Sequence, residues 1–297
     1  MKVGVILPLS GDAATPSYAE VRAQALAVEA SGLDSVWIYD HLIFRFPEKE
    51  PQAVWEGWTV MSALAEATER VELGALVLCT AFRNPAVLAK MAVTLDEVSG
   101  GRIVLGLGAG WHQPEFDAFG LPFDHLVDRF EEALKIIVPL VKTGSVDLTG
   151  RHHAAPNCAM LPAPTREGGI PVLIASFKPR MLKLTAEYAD QWNTAWVGEV
   201  SAIDDRRAAL EAACAEAGRD PKTLAQTVGI NVRFPEIGGG ATETPDPAKS
   251  LTGSVEEVAA GLRRHAEAGI AHVIADLEPM SEAGINLLAQ AAVLSRA

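Results

Sequence analysis

An Asp-His pair is the feature of this sequence best suited to chemistry. Asp40 and His41 directly follow an apolar, β-branched and aromatic run that reads SVWIY. An unperturbed histidine titrates near neutral pH, so His41 could donate or accept a proton during a redox reaction. The alternative is that Asp40 caps the next segment and His41 is an ordinary loop residue. The residues alone leave both interpretations open.

A glycine-rich stretch is the second candidate. Gly106, Gly108 and Gly110 form GxGxG, and the residues WHQP follow. The dinucleotide-binding fingerprint is GxGxxG and opens a helix directly, so this stretch does not match it. Glycines at the end of a strand would let a flat ligand approach the backbone closely. Tight packing of the chain is the alternative.

Other site types find little support. His152 and His153 have neither a third histidine nor a carboxylate at ligand spacing in their loop. We therefore interpret them as a solvated pair and predict no metal site. The sequence contains no P-loop and no GxSxG nucleophile motif.

Short β-branched runs alternate with helical patterns along the chain and must position these residues. Apolar residues on both faces of the runs indicate a buried parallel sheet. Eight such repeats predict an α/β fold, a (β/α)₈ TIM barrel, with an open doubly wound sheet as the alternative. The predicted strands are 3–7, 35–39, 71–79, 103–107, 170–175, 191–196, 224–234 and 271–277. The predicted helices are 18–30, 58–67, 84–98, 124–142, 179–189, 202–217, 254–269 and 282–295.

We predict one domain over 1–297, with insertions at about 143–169 and 235–251. The first insertion suggests a short hairpin with a proline-rich loop. Long excursions from a compact fold are often lids or binding loops. A surface embellishment or a dimer contact explains them equally well.

Barrel enzymes work at the carboxyl ends of their strands. The residues expected there are mostly apolar and aromatic, which suits a flat hydrophobic ring. The few polar groups that could orient a ligand are Asp40, His41, His112, Asn193 and Arg233. The residues expected at or just after these strand ends include Asp40, His41, Leu76, Val77, Cys79, Gly108, Ala109, Gly110, Trp111, Ala175, Ser176, Phe177, Lys178 and Asn193.

Composition restricts the cellular setting. The 297 residues carry a net charge of −13, which disfavours nucleic acid and anionic membranes as partners. Three widely spaced cysteines form no disulfide framework. No apolar run reaches the roughly 18 residues of a membrane span, and the N-terminal run is too short for a signal peptide. We expect a cytoplasmic protein with a small-molecule substrate.

A longer pattern covers residues 84–134, which begin NPAVLAKMAVTLDEVSGGRIVLGLGAGW and continue through EF and AFG. WIYDH at 37–41, PRMLKLTAEYADQWN at 179–193 and the segment 254–269 extend it. Over nearly its whole length the sequence resembles the luciferase-like, flavin-dependent oxidoreductase superfamily. The resemblance implies a bacterial luciferase-like barrel, often a homodimer, that holds FMN or the deazaflavin coenzyme F420. It makes the fourteen strand-end residues named above the predicted cofactor-binding residues.

Similarity to deazaflavin-linked sugar-phosphate dehydrogenases implies roles for particular positions. His41 would handle a proton beside the coenzyme ring. Leu76 and Val77 would be joined by a cis peptide bond that bulges against the ring. The amides of Ser176 and Phe177 would meet the coenzyme phosphate. Trp111 stands where those dehydrogenases carry a catalytic glutamate, and Phe177-Lys178 replaces a turn usually rich in glycine and serine.

The resulting hypothesis is hydride transfer between coenzyme F420 and a small, apolar organic substrate, with His41 as the catalytic residue. The first alternative is an FMN-dependent monooxygenase that uses molecular oxygen and reduced flavin from a partner flavin reductase. A non-catalytic flavin-binding barrel and a metal-dependent barrel hydrolase are further alternatives.

Overall fold

The computed structural model describes residues 1–11, 14–238, 246 and 249–297. Its strands are β1 (Lys2–Ile6), β2 (Ser35–Ile38), β3 (Ile43–Phe44), β4 (Gln52–Ala53), β5 (Glu72–Ala75), β6 (Leu78–Cys79), β7 (Ile103–Gly108), β8 (Ser145–Thr149), β9 (Ala154–Ala159), β10 (Val172–Ala175), β11 (Gln191–Ala195), β12 (Ala225–Arg233), β13 (Ser250–Thr252) and β14 (His272–Glu278). Its helices are α1 (Tyr18–Ala30), α2 (Gly57–Ala67), α3 (Pro85–Val98), α4 (Gln113–Phe119), α5 (Leu126–Lys142), α6 (Pro179–Tyr188), α7 (Ser201–Glu216), α8 (Val255–Glu267) and α9 (Glu282–Arg296).

Parallel pairing closes the sheet into a barrel. The ring runs β1-β2-β5-β7-β10-β11-β12-β14, and β14 pairs with β1 again. The short strand β6 continues the line of β5 and also pairs with β7. This confirms the predicted (β/α)₈ barrel, and the open-sheet alternative was wrong.

Local capping chemistry explains where several helices begin. The side chain of Asn84 accepts hydrogen bonds from two backbone amides at the start of α3, and Pro85 takes the first helical position. Ser254 and Glu257 form a reciprocal capping box at α8. Residues 124–142 were predicted as one helix, but α5 starts only at Leu126. The helix α4 precedes it in the chain and was not predicted; it ends before Gly120, whose φ is +67°.

The two insertions differ in what the structure describes. Strands β8 and β9 form the antiparallel hairpin predicted within 143–169. Most of the second insertion, 239–245 and 247–248, lies outside the described residues. A further small hairpin, β3 with β4, follows β2 and was not predicted. Among the described helices, none has the length and apolar character needed to cross a membrane.

Side chains fill the barrel interior at the amino-terminal ends of its strands. Trp37 is fully buried and packs with Val104, Leu173 and Ile274 from other strands. Below it, Ser35 Oγ hydrogen-bonds His272 Nε2 at 2.8 Å, and burial lowers the pKa of His272 to about 3. This histidine is therefore neutral at physiological pH. It fills the amino-terminal end of the barrel together with Ser35. The open end of the barrel is left for a ligand.

Two glycines of β7 let neighbouring strands approach. A Cβ atom at Gly106 would overlap the carbonyl oxygen of Ala75, and one at Gly108 would lie 2.6 Å from Val77 Cγ2. These glycines thus serve close packing of the chain, the alternative weighed above. Their indirect effect on the site is to make room for the segment that joins β5 to β6.

We expect Gly106→Ala to lower the free energy of unfolding by about 1–3 kcal/mol, because a barrel carbonyl must move to admit the methyl group. Gly229→Ala is the matched control, since the nearest atoms to its Cβ would be Ala195 Cβ at 3.2 Å and Leu76 Cδ2 at 3.4 Å. Its loss should stay below about 1 kcal/mol. Urea unfolding followed by circular dichroism measures both, and equal losses would contradict this account of β7.

Candidate active site

A cavity of about 470 Å³ opens at the carboxyl ends of the barrel strands. Its size is within the usual range for a small-molecule site. Nine of the residues predicted to bind a cofactor line it: Asp40, His41, Leu76, Val77, Cys79, Gly110, Trp111, Ala175 and Asn193. The other lining residues are Ile6, Tyr39, Phe44, Glu115, Ala195, Trp196 and Asp276.

Aliphatic side chains form the bottom of this cavity. Leu76 and Val77 pack on the buried interior cluster that includes Ile6. The peptide bond between Leu76 and Val77 is cis, as the family resemblance implied. The segment separates β5 from β6, although residues 71–79 were predicted as one strand.

A buried glutamate holds the candidate catalytic histidine. His41 Nδ1 lies 3.0 Å from Glu115 Oε1 and 3.2 Å from Oε2. Glu115 Oε2 also accepts a hydrogen bond from the Leu42 amide at 2.9 Å. The side chain of Glu115 is 2% exposed, against 15% for that of His41. The pair therefore lies at the wall of the cavity with His41 toward the open space.

A second network fixes the neighbouring aspartate. The Asp40 carboxylate accepts hydrogen bonds from both terminal nitrogens of Arg83, at 2.7 and 2.9 Å, and from the Cys79 amide at 2.9 Å. Arg83 also pairs with Glu56, the N-cap residue of α2. Burial disfavours the charged guanidinium, but the two carboxylates raise the pKa of Arg83 above its ordinary value. Since protein groups occupy both oxygens of Asp40, its role here is to hold the chain in place.

Aromatic rings build the outer wall. The ring centroid of His41 lies 4.4 Å from that of Phe44 and 5.6 Å from that of Trp111. Trp111 is 61% exposed, so it can contact a ligand that enters the mouth. His112 lies behind this wall and its Nε2 accepts the Arg45 amide at 3.1 Å. Burial lowers the pKa of His112, which fits a neutral structural histidine.

Asn193 offers an unused acceptor inside the cavity. Its Nδ2 donates to Thr227 Oγ1 at 2.8 Å, and Thr227 Oγ1 donates to the Trp192 carbonyl at 3.1 Å. This chain of bonds fixes the amide orientation. Asn193 Oδ1 has no hydrogen-bond partner among the described residues, and the side chain is fully buried. A buried acceptor without a partner is costly and suits a ligand that supplies an N–H or O–H group.

Two further ionisable groups face the cavity. Burial raises the pKa of Asp276, and repulsion from Glu278 adds to the effect. Burial also raises the pKa of the Cys79 thiol to about 12, so it stays protonated at neutral pH. A protonated, buried thiol is a poor nucleophile. Cys79 is therefore a wall residue.

Five predicted cofactor-binding residues do not line the cavity. Gly108 and Ala109 belong to the end of β7 and the turn that follows it. Ser176 is buried and bonded to Thr185, whereas Phe177 is 66% exposed. Lys178 is the N-cap position of α6 and makes no side-chain capping bond. The last three continue from Ala175, which does line the cavity. Arg233, an orienting candidate, pairs with Glu278 instead.

Sequence reasoning missed Glu115 and Arg83 as site residues. Glu115 lies 74 residues from His41 in sequence and Arg83 lies 43 from Asp40. The signals available were a glutamate just after the WHQP segment and an arginine just before the Asn84 cap. Neither signal states which partner the charged group would meet.

The adjacent histidines of the first insertion also gain neighbours. The ligand atoms of His152, His125 and Asp128 lie within 4.8 Å of one another at the surface. Asp128 pairs with Arg180 at 2.6 Å, so its charge is already balanced. Within the part of the chain described, this cluster lies away from the cavity.

Comparison with known proteins agrees with the barrel and its site. Residues 1–235 match the profile described as luciferase-like monooxygenase. A phthiodiolone/phenolphthiodiolone dimycocerosates ketoreductase of Mycobacterium tuberculosis is 31% identical over 227 residues, which cover 70% of this chain and 59% of that protein. The pyrimidine monooxygenase RutA of Methylobacterium radiotolerans is 32% identical over 208 residues, which cover 64% of this chain and 53% of that protein. The chain thus aligns with less than two thirds of the length of either relative.

A solved structure supports the same architecture. An F420-dependent secondary alcohol dehydrogenase, in complex with an F420-acetone adduct, superposes with a TM-score of 0.82 at 22% identity. The match covers 100% of this chain and 99% of that one. At this identity the likeness shows the fold. Because the family profile spans most of the sequence, the chain belongs to the luciferase-like monooxygenase family.

Proposed function

We propose that this protein is an oxidoreductase that binds coenzyme F420 and transfers hydride to or from a small, apolar organic substrate. The observation that carries the proposal is the composition of the cavity. Its lining combines a histidine held by a buried carboxylate, an aliphatic bottom and an amide oxygen that has no partner among the residues described. Such a site suits a flat, largely apolar ring with a hydrogen-bond donor at its edge.

The residues present fit a deazaflavin or flavin ring. Leu76 and Val77 would support one face of the ring. Asn193 Oδ1 would accept an N–H or O–H of the ring edge, which would satisfy the buried acceptor. The start of α6 has no side-chain cap, so backbone amides near Lys178 could meet a phosphate that extends from the ring.

When bound, the coenzyme supplies a ring carbon that accepts or donates hydride. His41 would hold and move the proton that accompanies this transfer. Trp111 and Phe44 would contact the substrate and exclude water. Asp40 and Arg83 would keep the His41 backbone fixed on the barrel rim.

The relatives favour an enzyme over a non-catalytic binding barrel, since they are named as a ketoreductase and a monooxygenase. The F420 choice is supported by the superposed dehydrogenase. An FMN-dependent monooxygenase is the second candidate, favoured by the likeness to RutA. It would need oxygen and a partner that delivers reduced flavin. A metal-dependent hydrolase lacks support, because the metal-ligand cluster found among the described residues lies outside the cavity.

The assembly and setting are proposals of the same kind. We propose a homodimer in the cytoplasm, with a small molecule as substrate. The net charge of −13 argues against nucleic acid or anionic membranes as partners. Size-exclusion chromatography with light scattering tests the dimer directly.

Coenzyme titration tests the ring site. We expect the purified protein to bind F420 at micromolar concentration or better, measured by isothermal titration calorimetry, with FMN in parallel. Asn193→Leu removes the free acceptor and should weaken binding about 5- to 10-fold, the value of one hydrogen bond. Thr227→Ser is the control, because it keeps the hydroxyl that orients the Asn193 amide and so leaves Oδ1 in place. Binding of FMN alone would overturn the F420 assignment, and binding of neither would overturn the proposed function.

Turnover tests the role of His41. We expect His41→Ala to lower turnover about 10²- to 10⁴-fold, the usual range for a general acid or base, while F420 binding remains. The assay follows loss of F420 absorbance with propan-2-ol and cyclohexanol as probe alcohols. His153→Ala, in the distant insertion, is the control and should keep the wild-type rate. Unchanged turnover in His41→Ala would remove His41 from the mechanism.

A further inference from the structure

We infer that Glu115 is a positioning residue that holds His41 in the Nδ1-protonated tautomer and leaves Nε2 for the substrate. The structural part of this inference concerns only the His41–Glu115 pair. Its catalytic consequence rests on the proposed function. The residue was not anticipated as part of the site from the sequence.

The direction of the hydrogen bond follows from chemistry. An ionised carboxylate has no hydrogen to donate, so the nitrogen that faces it must carry one. His41 Nδ1 lies 3.0 and 3.2 Å from the two oxygens of Glu115. Nδ1 is therefore the protonated nitrogen of the neutral ring. Nε2 keeps its lone pair and is the nitrogen available at the cavity.

Glu115 fixes the ring as well as its tautomer. The same carboxylate accepts the Leu42 amide at 2.9 Å, so it holds the backbone next to His41 and the ring at once. The Glu115 amide donates to the His112 carbonyl at 3.1 Å, and the adjacent Phe116 is fully buried. Phe44 packs against the His41 ring at 4.4 Å between centroids. The ring therefore has little freedom to flip.

The proposed reaction gives this arrangement a purpose. When an alcohol is oxidised, the carbon loses hydride to the coenzyme and the hydroxyl loses a proton as the C=O bond forms. Nε2 of His41 accepts that proton, and the buried carboxylate of Glu115 stabilises the resulting imidazolium. In the reverse direction the imidazolium returns the proton to the carbonyl oxygen. An Nε2-protonated neutral ring could not accept the proton at that atom.

Nitrogen NMR on the protein without coenzyme tests the tautomer. In protein labelled with ¹⁵N-histidine, His41→Ala assigns the His41 signals. At a pH where the ring is neutral, the wild type should show Nδ1–H. In Glu115→Gln the amide oxygen can accept Leu42 N–H while the NH₂ group faces Nδ1, so the ring should shift to Nε2–H. Glu115→Asp keeps an acceptor-only carboxylate and should retain Nδ1–H.

Glu132→Gln provides the matched control. Glu132, on α5, also accepts backbone amides, at 2.7–2.9 Å from residues 151–153 of the first insertion, and it does not line the cavity. This variant should leave the His41 signals unchanged. Thermal unfolding of each variant establishes that it is folded. A wild-type Nε2–H ring, or a folded Glu115→Gln variant with unchanged tautomer, would overturn the inference.

Kinetics with the probe alcohols tests the catalytic consequence. Glu115→Gln should lower kcat about 10²- to 10⁴-fold with little change in KM, because the loss concerns proton transfer. A merely structural role would instead change KM and stability together. If the wild type turns over no alcohol, the proposed function fails while the NMR result still decides the tautomer. If only the tautomer prediction fails, the proposed function stands without this role for Glu115.

Discussion

Two buried carboxylates at the apolar mouth of the barrel, Asp40 and Glu115, determine which groups must lie around them. The side chain of Asp40 is fully buried and that of Glu115 is 2% exposed. A buried, unpaired carboxylate would cost several kcal/mol, so each must find cationic or N–H partners. Arg83 and the Cys79 amide surround Asp40, whereas His41 and the Leu42 amide surround Glu115. The chain between the two anchors is therefore held on both sides.

This double anchoring holds the wall that carries His41 in one arrangement. The anchored wall carries the ionisable groups, and its hydrogen bonds leave one ring nitrogen of His41 for a ligand. Elsewhere in the cavity lining, Asn193 Oδ1 has no partner within the described part of the chain, and the mouth carries the exposed Trp111. A ligand that donates a hydrogen bond would therefore satisfy the buried acceptor of Asn193. The aliphatic bottom contributes area but no hydrogen bonds, which favours a flat ring over a sugar.

Much of the fold could be predicted because its signals are local. The α1 bounds match 18–30, and the Asn84 and Ser254 caps lie where the side-chain types indicate. The repeated alternation of buried strands with helices also predicted the barrel. Pairings between distant segments could not be read this way. Glu115 lies on α4, which packs against β3 just after His41, and α4 itself was not predicted from the sequence.

The glycines of β7 and the residues just before α6 also show which features the sequence predicts and which need the structure. GxGxG suggested access for a flat ligand, yet Gly106 and Gly108 make room for Ala75 and Val77. The pattern correctly marked a close approach, but only the register of β7 against β5 and β6 identifies what approaches. Phe177 stands in a turn that is usually rich in glycine and serine, yet its side chain is largely exposed and does not line the cavity. Although the chain carries a charge of −13, an uncapped helix start beside Lys178 can still attract an anion, because local geometry governs binding at such short range.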